Sequence, residues 1–158
     1  MFLSVIVPVH GKGPRLRLTL AGLLGQVDAG DVEMIAAADR PTAQVRAVLD
    51  EFPLSVVDSP TPGRAAARNA GASRATGDLL VFIDDDILVH ADFLACHRRA
   101  QARAPGLVHG ALREMIGLLR VEDPSSGGPG CPPIDVDALR DGRWRPEGVR
   151  LVASPLEQ

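Results

Sequence analysis

Three consecutive aspartates, Asp84, Asp85 and Asp86, follow the apolar run LLVFI at residues 79–83. Mutual repulsion and desolvation both oppose three like charges at the end of a buried strand, so a positive partner is expected beside them. Carboxylate oxygens are the ligands that Mg²⁺ and Mn²⁺ prefer in proteins. The triplet therefore predicts a divalent cation as the positive partner. The alternative is a solvated loop whose acids cap the next helix.

Four further polar residues fall at predicted strand ends or in the helix that precedes the triplet. His10 follows the first strand and Asp39 the second, while Arg64 and Arg68 lie near the start of that helix. Ligands of open parallel sheets bind at the carboxyl ends of the strands, so we expect these residues to share one rim with the aspartates. This combination of acids and arginines suits a metal–diphosphate, so the cation is expected to arrive with a nucleotide and to bridge its phosphate oxygens. The competing interpretation is a turn-forming aspartate and ordinary solvated arginines.

Strands and helices alternate along the chain as far as residue 104. Apolar, β-rich runs predict strands over residues 2–9, 32–38, 54–58 and 78–83. Helical spacing of apolar residues, or an alanine-rich composition, predicts helices over residues 14–24, 42–51, 63–76 and 91–104. Strands that are apolar on both faces and alternate with helices indicate an α/β fold, with a mostly parallel sheet and helices on both faces.

The end of the chain has a different character. Residues 107–120 are ambiguous between strand and helix, and we place the end of the main domain at residue 122. Residues 123–133 are rich in Pro, Gly and Ser, which predicts a flexible loop. Residues 134–158 show little pattern and are expected to form a tail that either docks or stays loose.

Composition excludes several classes of partner. Hydrophobic residues make up 46% of the 158 and charged residues 23%, which is typical of a single globular domain. Aromatic residues are only 3% and the net charge is −3, so nucleic acid is not an expected partner. No apolar run approaches the length of a membrane span. With two cysteines in dissimilar contexts and no secretory signal, the cytoplasm is the expected location.

Three stretches resemble the family 2 glycosyltransferases of GT-A fold. They are SVIVPVHGKGPRLRLTLAGLLGQ, VEMIAAAD and PGRAAARNAGASRATGDLLVFIDDDILVHADFL. The resemblance covers roughly residues 2–95 and is expected to extend to residue 120. Its most specific part is GRAAARNAG followed by ATGDLLVFIDDD. The resemblance implies a Rossmann-like, GT-A-like sheet, a nucleotide-diphosphate-sugar donor and a divalent cation, Mn²⁺ or Mg²⁺. It also implies sugar transfer to the hydroxyl of an unknown acceptor with inversion.

The resemblance also implies roles for residues at the rim. Pro8 and Val9 would border the nucleotide pocket, Asp39 would contact the base and Arg68 would line the nucleotide side. The triplet corresponds to the DXD region, in which Asp86 is the first choice as metal ligand, with help from Asp84. With the other rim residues added, the predicted nucleotide-binding set is Pro8, Val9, His10, Asp39, Arg64, Arg68, Asp84 and Asp85.

The sequence departs from the family pattern in two places. The family usually reads like VVDDGSTD after the second strand, whereas this chain reads AAADRPTA and lacks one acid and the hydroxyl-rich turn. We also expect much of the acceptor-binding half to be missing, because no family-like acidic stretch follows residue 120. Several acids lie there, and none has recognisable surroundings: Glu122, Asp123, Asp135, Asp137 and Glu147. The catalytic base is therefore not assigned.

Two functions remain open at this point. The first is a metal-dependent glycosyltransferase. The second is a catalytically reduced protein of the same fold that binds a nucleotide sugar or acts as a partner or regulator. A third arrangement joins them, in which a second copy of the chain or another subunit supplies the base and the acceptor wall.

Overall fold

The computed structural model of the protein describes residues 1–11, 13–110, 113–116 and 150–153. In chain order its elements are β1 (Leu3–Val9), α1 (Gly13–Leu24), β2 (Val32–Ala38), α2 (Ala43–Leu49), β3 (Ser55–Asp58), α3 (Arg64–Arg74), β4 (Leu79–Phe82), α4 (Phe93–Arg103), β5 (Arg113–Ile116) and β6 (Arg150–Ala153). Up to α4, each bound lies within two residues of the predicted one. The alternation of strands and helices is therefore confirmed.

Four parallel strands form the main sheet in the order β3-β2-β1-β4. The central strand β1 is buried along its whole length. Its first residue, Leu3, pairs with Val32 on one side and Leu79 on the other, and its last residue, Val9, pairs with Ala38. Because all four strands run in the same direction, their carboxyl ends lie along one edge of the sheet.

Alternate residues of β1 face two separate parts of the core. Val5 and Val7 belong to the larger apolar cluster, which also contains buried residues of α1, α2 and α4. Ile6 faces the other way and packs with Ala37 of β2 and Ala67 of α3. Helices therefore cover both faces of the sheet, and the predicted α/β architecture is confirmed.

The alanine-rich helix α3 lies very close to the sheet. Gly71 is buried, and a Cβ atom there would overlap the Ile6 side chain and approach the Cβ of Ala37 to 3.3 Å. Small side chains along α3 thus allow the helix to approach β1 and β2 closely.

The edge strands are less buried than predicted. On β4, Val81 faces the core, whereas Leu80 and Phe82 on the opposite face are 39% and 43% exposed. On β3, Val56 is also exposed. The expectation of a strand buried on both faces is therefore wrong for β4. Among the described elements, α3 packs mainly against β1, β2 and β3 and leaves this face of β4 open.

Gly77, which the sequence suggested as the end of a helix, has a different position. The cap of α3 is Ala75 in an extended conformation. The amide of Gly77 donates to Oγ of Ser4 at 2.8 Å, and a Cβ atom on Gly77 would lie 2.7 Å from the Ser4 amide nitrogen. Only a glycine fits at position 77, because the chain there passes directly against the start of β1.

Strands β5 and β6 form a separate antiparallel pair, in which Arg113 pairs with Ala153 and Ile116 with Arg150. Residues 113–116, within the segment of ambiguous pattern, are therefore a strand. The predicted loop over 123–133 lies outside the described residues, as does the predicted tail except for 150–153. Across the described ranges, the helices are all too short or too polar to cross a bilayer.

Candidate functional site

The carboxyl ends of β1, β2 and β4 bring three predicted site residues together. The backbone N–H of His10 donates to Oδ2 of Asp85 at 3.1 Å, across 75 residues of sequence. The imidazole Nδ1 of His10 lies 2.9 Å from the carbonyl oxygen of Asp39. His10 therefore links the end of β2 to the aspartate triplet, as expected for residues that share one rim of a parallel sheet.

Asp39 is the most buried acid of the rim, with 8% of its surface exposed. Its amide donates to the Val9 carbonyl at 2.8 Å, which continues the β1–β2 ladder by one residue. Its Oδ2 accepts the N–H of Gly63 at 2.9 Å. The next residue, Arg40, has a positive φ of 49°, so the chain turns sharply away from the sheet. Asp39 thus holds the loop before α3 against the end of β2.

The triplet begins where β4 leaves the sheet. The amide of Ile83 donates to the Ile6 carbonyl at 3.0 Å and extends the pairing with β1 by one residue. The amide of Ile87 then donates to the Asp84 carbonyl at 3.3 Å, which closes a tight turn over the acids. This turn projects the acidic side chains at the rim rather than into the core.

Each carboxylate of the triplet has its own partner, an arginine for Asp84 and Asp86 and a backbone N–H for Asp85. Asp84 forms an ion pair with Arg68 of α3, and Asp85 accepts the His10 amide. Oδ2 of Asp86 lies 3.8 Å from Nη1 of Arg15, in the first turn of α1. Groups of the protein itself therefore offset part of the repulsion that the sequence indicated.

The remaining predicted residues contribute less through their side chains. Val9 is buried in the larger core cluster, and Pro8 is buried within β1. Only the backbone of Val9 reaches the rim, through its hydrogen bond with Asp39. Arg64 is exposed at the start of α3 and forms no ion pair within the described part of the chain.

Sequence reasoning missed Arg15. It lies six residues after the end of β1, in the segment GKGPR, which contains Gly-x-Gly but neither a full dinucleotide fingerprint nor a P-loop. A usable signal was present, because the first turn of a helix that follows a parallel strand lies at the same rim as the strand end. Arg64 and Arg68, by contrast, lie in the helix that directly precedes β4 and the triplet in sequence.

The carboxylates suit a cation that is shared with a ligand. Within the described residues, no three or more His, Cys, Asp or Glu side chains converge to hold a metal ion. Mg²⁺ in phosphate-binding sites usually has one or two protein carboxylates and takes its other ligands from phosphates and water. The oxygen donors of Asp84 and Asp86 fit that kind of coordination, which needs no complete cage of protein ligands.

A cavity of about 640 Å³ lies away from this rim. It is lined by the first residues of β2, including Val32 and Met34, and by the end of α1 around Leu23. These residues lie at the amino ends of the strands, and the cavity contains none of the predicted site residues.

The parallel sheet, with helices on both faces and polar residues at its carboxyl edge, is a GT-A-like α/β fold. The solved structure of residues 1–349 of TarS from S. aureus has the same fold, with a TM-score of 0.59 and 20% sequence identity. The match covers 73% of this chain and 40% of that one.

The chain belongs to glycosyl transferase family 2, because the model of that family matches residues 4–110, more than half of the sequence. It is 31% identical over 110 residues to the uncharacterized glycosyltransferase YfnE of Bacillus subtilis, a match that covers 66% of this chain and 28% of YfnE. An uncharacterized glycosyltransferase of Haemophilus influenzae is 34% identical over 88 residues, with 53% and 29% covered. The chain thus spans less than a third of these relatives.

Proposed function

We propose that this chain binds a nucleotide-diphosphate-sugar together with a divalent cation and takes part in transferring the sugar to an acceptor hydroxyl. The observation that carries the proposal is the meeting of His10, Asp39 and the triplet at the carboxyl edge of the sheet. Membership of glycosyl transferase family 2 supports the same reaction class.

Asp86 and Asp84 are the residues that would hold the cation. When bound, Mg²⁺ or Mn²⁺ would supply neutralisation of the charge that develops on the departing nucleoside diphosphate. Asp85 would remain on the His10 amide, to which it is already hydrogen-bonded, and would keep the turn in place. These different roles rest on the different partners of the carboxylates, which are arginine side chains for Asp84 and Asp86 and a backbone amide for Asp85.

The base of the nucleotide would lie beside the ends of β1 and β2. Oδ2 of Asp39 is taken by the Gly63 amide, so Oδ1 is the oxygen left for a donor on the base. Pro8 and Val9 would shape this side through the backbone, and the exposed imidazole of His10 borders it.

The phosphates would lie toward α3 and the triplet. Arg68 already pairs with a carboxylate there, and Arg64 is exposed one turn earlier on the same helix. Guanidinium groups bind phosphate oxygens in a bidentate way, so both are suitable partners for a diphosphate.

Uridine diphosphate is the first nucleotide to test. Solved structures of TarS residues 1–349 hold UDP and UDP-GlcNAc, and these chains share the fold of the present one with TM-scores of 0.59 and 0.54. Inversion at the sugar is part of the proposal. A general base must lie within hydrogen-bonding reach of the acceptor hydroxyl, and we assign none among the described residues.

Calorimetric titration of UDP with and without Mn²⁺ tests the proposal. Wild type should bind UDP more tightly with Mn²⁺, and Asp86→Asn should lose most of that gain because one metal ligand is weakened. Asp50→Asn, an exposed acid at the end of α2, is the matched control and should behave as wild type. If no nucleoside diphosphate of a full panel binds, with or without Mn²⁺, the proposal is wrong.

Donor turnover separates the two functions that the sequence left open. An active glycosyltransferase should release UDP slowly from UDP-GlcNAc or a related donor, and Asp86→Asn should reduce the release. Tight binding without release, for every donor that binds, would instead support the binding-only alternative.

A further inference from the structure

Arg15 occupies a sheltered position beside the proposed metal ligand. It lies in the first turn of α1, directly after β1 reaches the rim. Its Nη1 is 3.8 Å from Oδ2 of Asp86, and the two side chains are only 29% and 27% exposed. A partly buried ion pair is screened less by salt than a surface pair, so its electrostatic effect on a nearby cation is larger.

A second guanidinium stands on the other side of the triplet. Arg68 pairs with Asp84, and these side chains are 36% and 50% exposed. Together Arg15 and Arg68 carry the same formal charge as one divalent cation. The two carboxylates proposed to hold the metal are therefore the two that the protein pairs with arginine.

Binding of a metal ion to carboxylates that are already paired with arginines costs electrostatic free energy. A guanidinium stays charged at any pH that the protein survives, so it repels an arriving cation instead of releasing a proton. The repulsion disappears if the guanidinium moves to an anion that arrives with the metal. A diphosphate is such an anion, and arginine matches phosphate geometry.

We propose that Arg15 is a positioning residue that neutralises Asp86 while the metal is absent and transfers to the diphosphate when metal and nucleotide bind. The inference rests on the proposed function. In this arrangement the cation and the nucleotide each strengthen binding of the other. The diphosphate draws the guanidinium away from the metal site, and the cation releases the guanidinium from Asp86 to the phosphates. Coupling of this kind is reciprocal, so each ligand should raise the affinity for the other by the same factor.

The same helix provides a matched control. Arg17 lies two residues further along α1 and points away, where it forms a two-pronged pair with Glu51 at 2.6 and 2.9 Å. Arg15→Gln and Arg17→Gln therefore remove the same charge from the same helix, one at the rim and one outside it.

The experiment titrates Mn²⁺ into wild type, Arg15→Gln and Arg17→Gln, first alone and then with saturating UDP, and follows free Mn²⁺ by electron paramagnetic resonance. Without UDP, Arg15→Gln should bind Mn²⁺ roughly fivefold more tightly than wild type, because a neighbouring positive charge is gone. The factor by which UDP improves Mn²⁺ binding should shrink by about tenfold, because a charge-assisted contact to the phosphates is lost. Arg17→Gln should match wild type in both titrations.

Arg15→Lys separates charge from shape. It keeps the positive charge and should leave Mn²⁺ affinity without UDP close to that of wild type. It also loses the planar fork and should weaken the coupling to UDP. If circular dichroism shows that Arg15→Gln does not fold, Arg15→Met replaces it as the variant without the charge. Arg15→Lys remains the variant that keeps the charge.

Two failures have different meanings. An Arg15→Gln protein whose Mn²⁺ affinity does not exceed that of wild type, while wild type still binds Mn²⁺ with UDP, overturns the role of Arg15 alone. A wild type that binds neither Mn²⁺ nor any nucleoside diphosphate overturns the proposed function.

Discussion

The amide of Gly63 donates a 2.9 Å hydrogen bond to Oδ2 of Asp39 and thereby ties the start of α3 to the end of β2. Gly63 has a φ of 119°, a conformation that residues with a side chain rarely adopt, and this lets its N–H point back at the sheet. The carboxylate also lies at the amino end of α3, where negative charge is favourable. Because α3 carries Arg68, Asp39 contributes to the position of the arginine that meets the triplet.

Substitution of Asp39 should reveal this structural role. Asp39→Ala removes the acceptor of the Gly63 amide and should lower the free energy of unfolding by about 1 kcal/mol. Asp39→Asn keeps an acceptor oxygen and loses only the charge, so its loss should be smaller. Urea unfolding of both variants measures the difference. Equal losses would show that charge, and not the hydrogen bond, is what Asp39 contributes.

Gly71 should be the least replaceable glycine of the helices. A methyl group there would overlap Ile6 of the central strand, so Gly71→Ala should cost about 2 kcal/mol of stability through overpacking. Gly22 of α1 is the control, because its added Cβ would meet Val89 at an ordinary 3.7 Å. Gly22→Ala should be neutral or stabilising by up to about 1 kcal/mol, from helix propensity.

Thermal and urea unfolding of the two glycine variants give the test. A Gly71→Ala protein as stable as wild type would mean that α3 can move away from β1 without loss of stability, contrary to the tight contact between Gly71 and Ile6.

The sheet and the rim follow from patterns that lie within single segments of the sequence. An apolar run such as residues 2–9 sets a buried strand, and the alternation with helices sets a parallel sheet. Once the strands are parallel, the residues after them must share an edge, which is why His10 and Asp39 could be placed together before any coordinates were known. These features depend on short-range periodicity and on topology.

Other features depend on pairs far apart in sequence and could not be predicted. Arg15 meets Asp86 only because the turn after β4 reaches the first turn of α1, and Gly77 is required only because its chain segment crosses Ser4. The exposure of Phe82 follows from α3 packing mainly against β1, β2 and β3, and a single sequence does not state which strands a helix covers.

Arg68 should matter for ligand binding more than for stability. Its pair with Asp84 is about half-exposed to solvent, so Arg68→Gln should change the free energy of unfolding by less than about 1 kcal/mol. Under the proposed function, the same variant should weaken UDP binding in the presence of Mn²⁺ by about tenfold, because a charge-assisted phosphate contact is lost. Arg74→Gln, exposed in the last turn of α3, is the control and should leave both quantities unchanged. A large loss of stability in Arg68→Gln would contradict the prediction that Arg68 serves ligand binding more than folding.

Glu33 should make the free energy of unfolding depend measurably on pH in the acidic range. Its carboxylate accepts hydrogen bonds from the Ser4 hydroxyl and from the amide and hydroxyl of Thr76, and these bonds, led by that of Ser4, lower its pKa below the ordinary 4.5. A lowered pKa in the folded state contributes stability that is complete above the unfolded value and is lost as the pH falls through the folded value.

Glu33→Gln removes this titration while keeping the shape of the side chain. The variant should be less stable than wild type near neutral pH, and the gap should narrow as the pH falls below 4.5. Ser4→Ala removes the largest cause of the shift and should flatten the same part of the curve while the carboxylate is retained. Urea unfolding across the acidic range, from about pH 6 down to pH 3, gives the curves. Curves for wild type and Glu33→Gln that stay parallel through this range would show that the network around Glu33 does not couple folding to protonation.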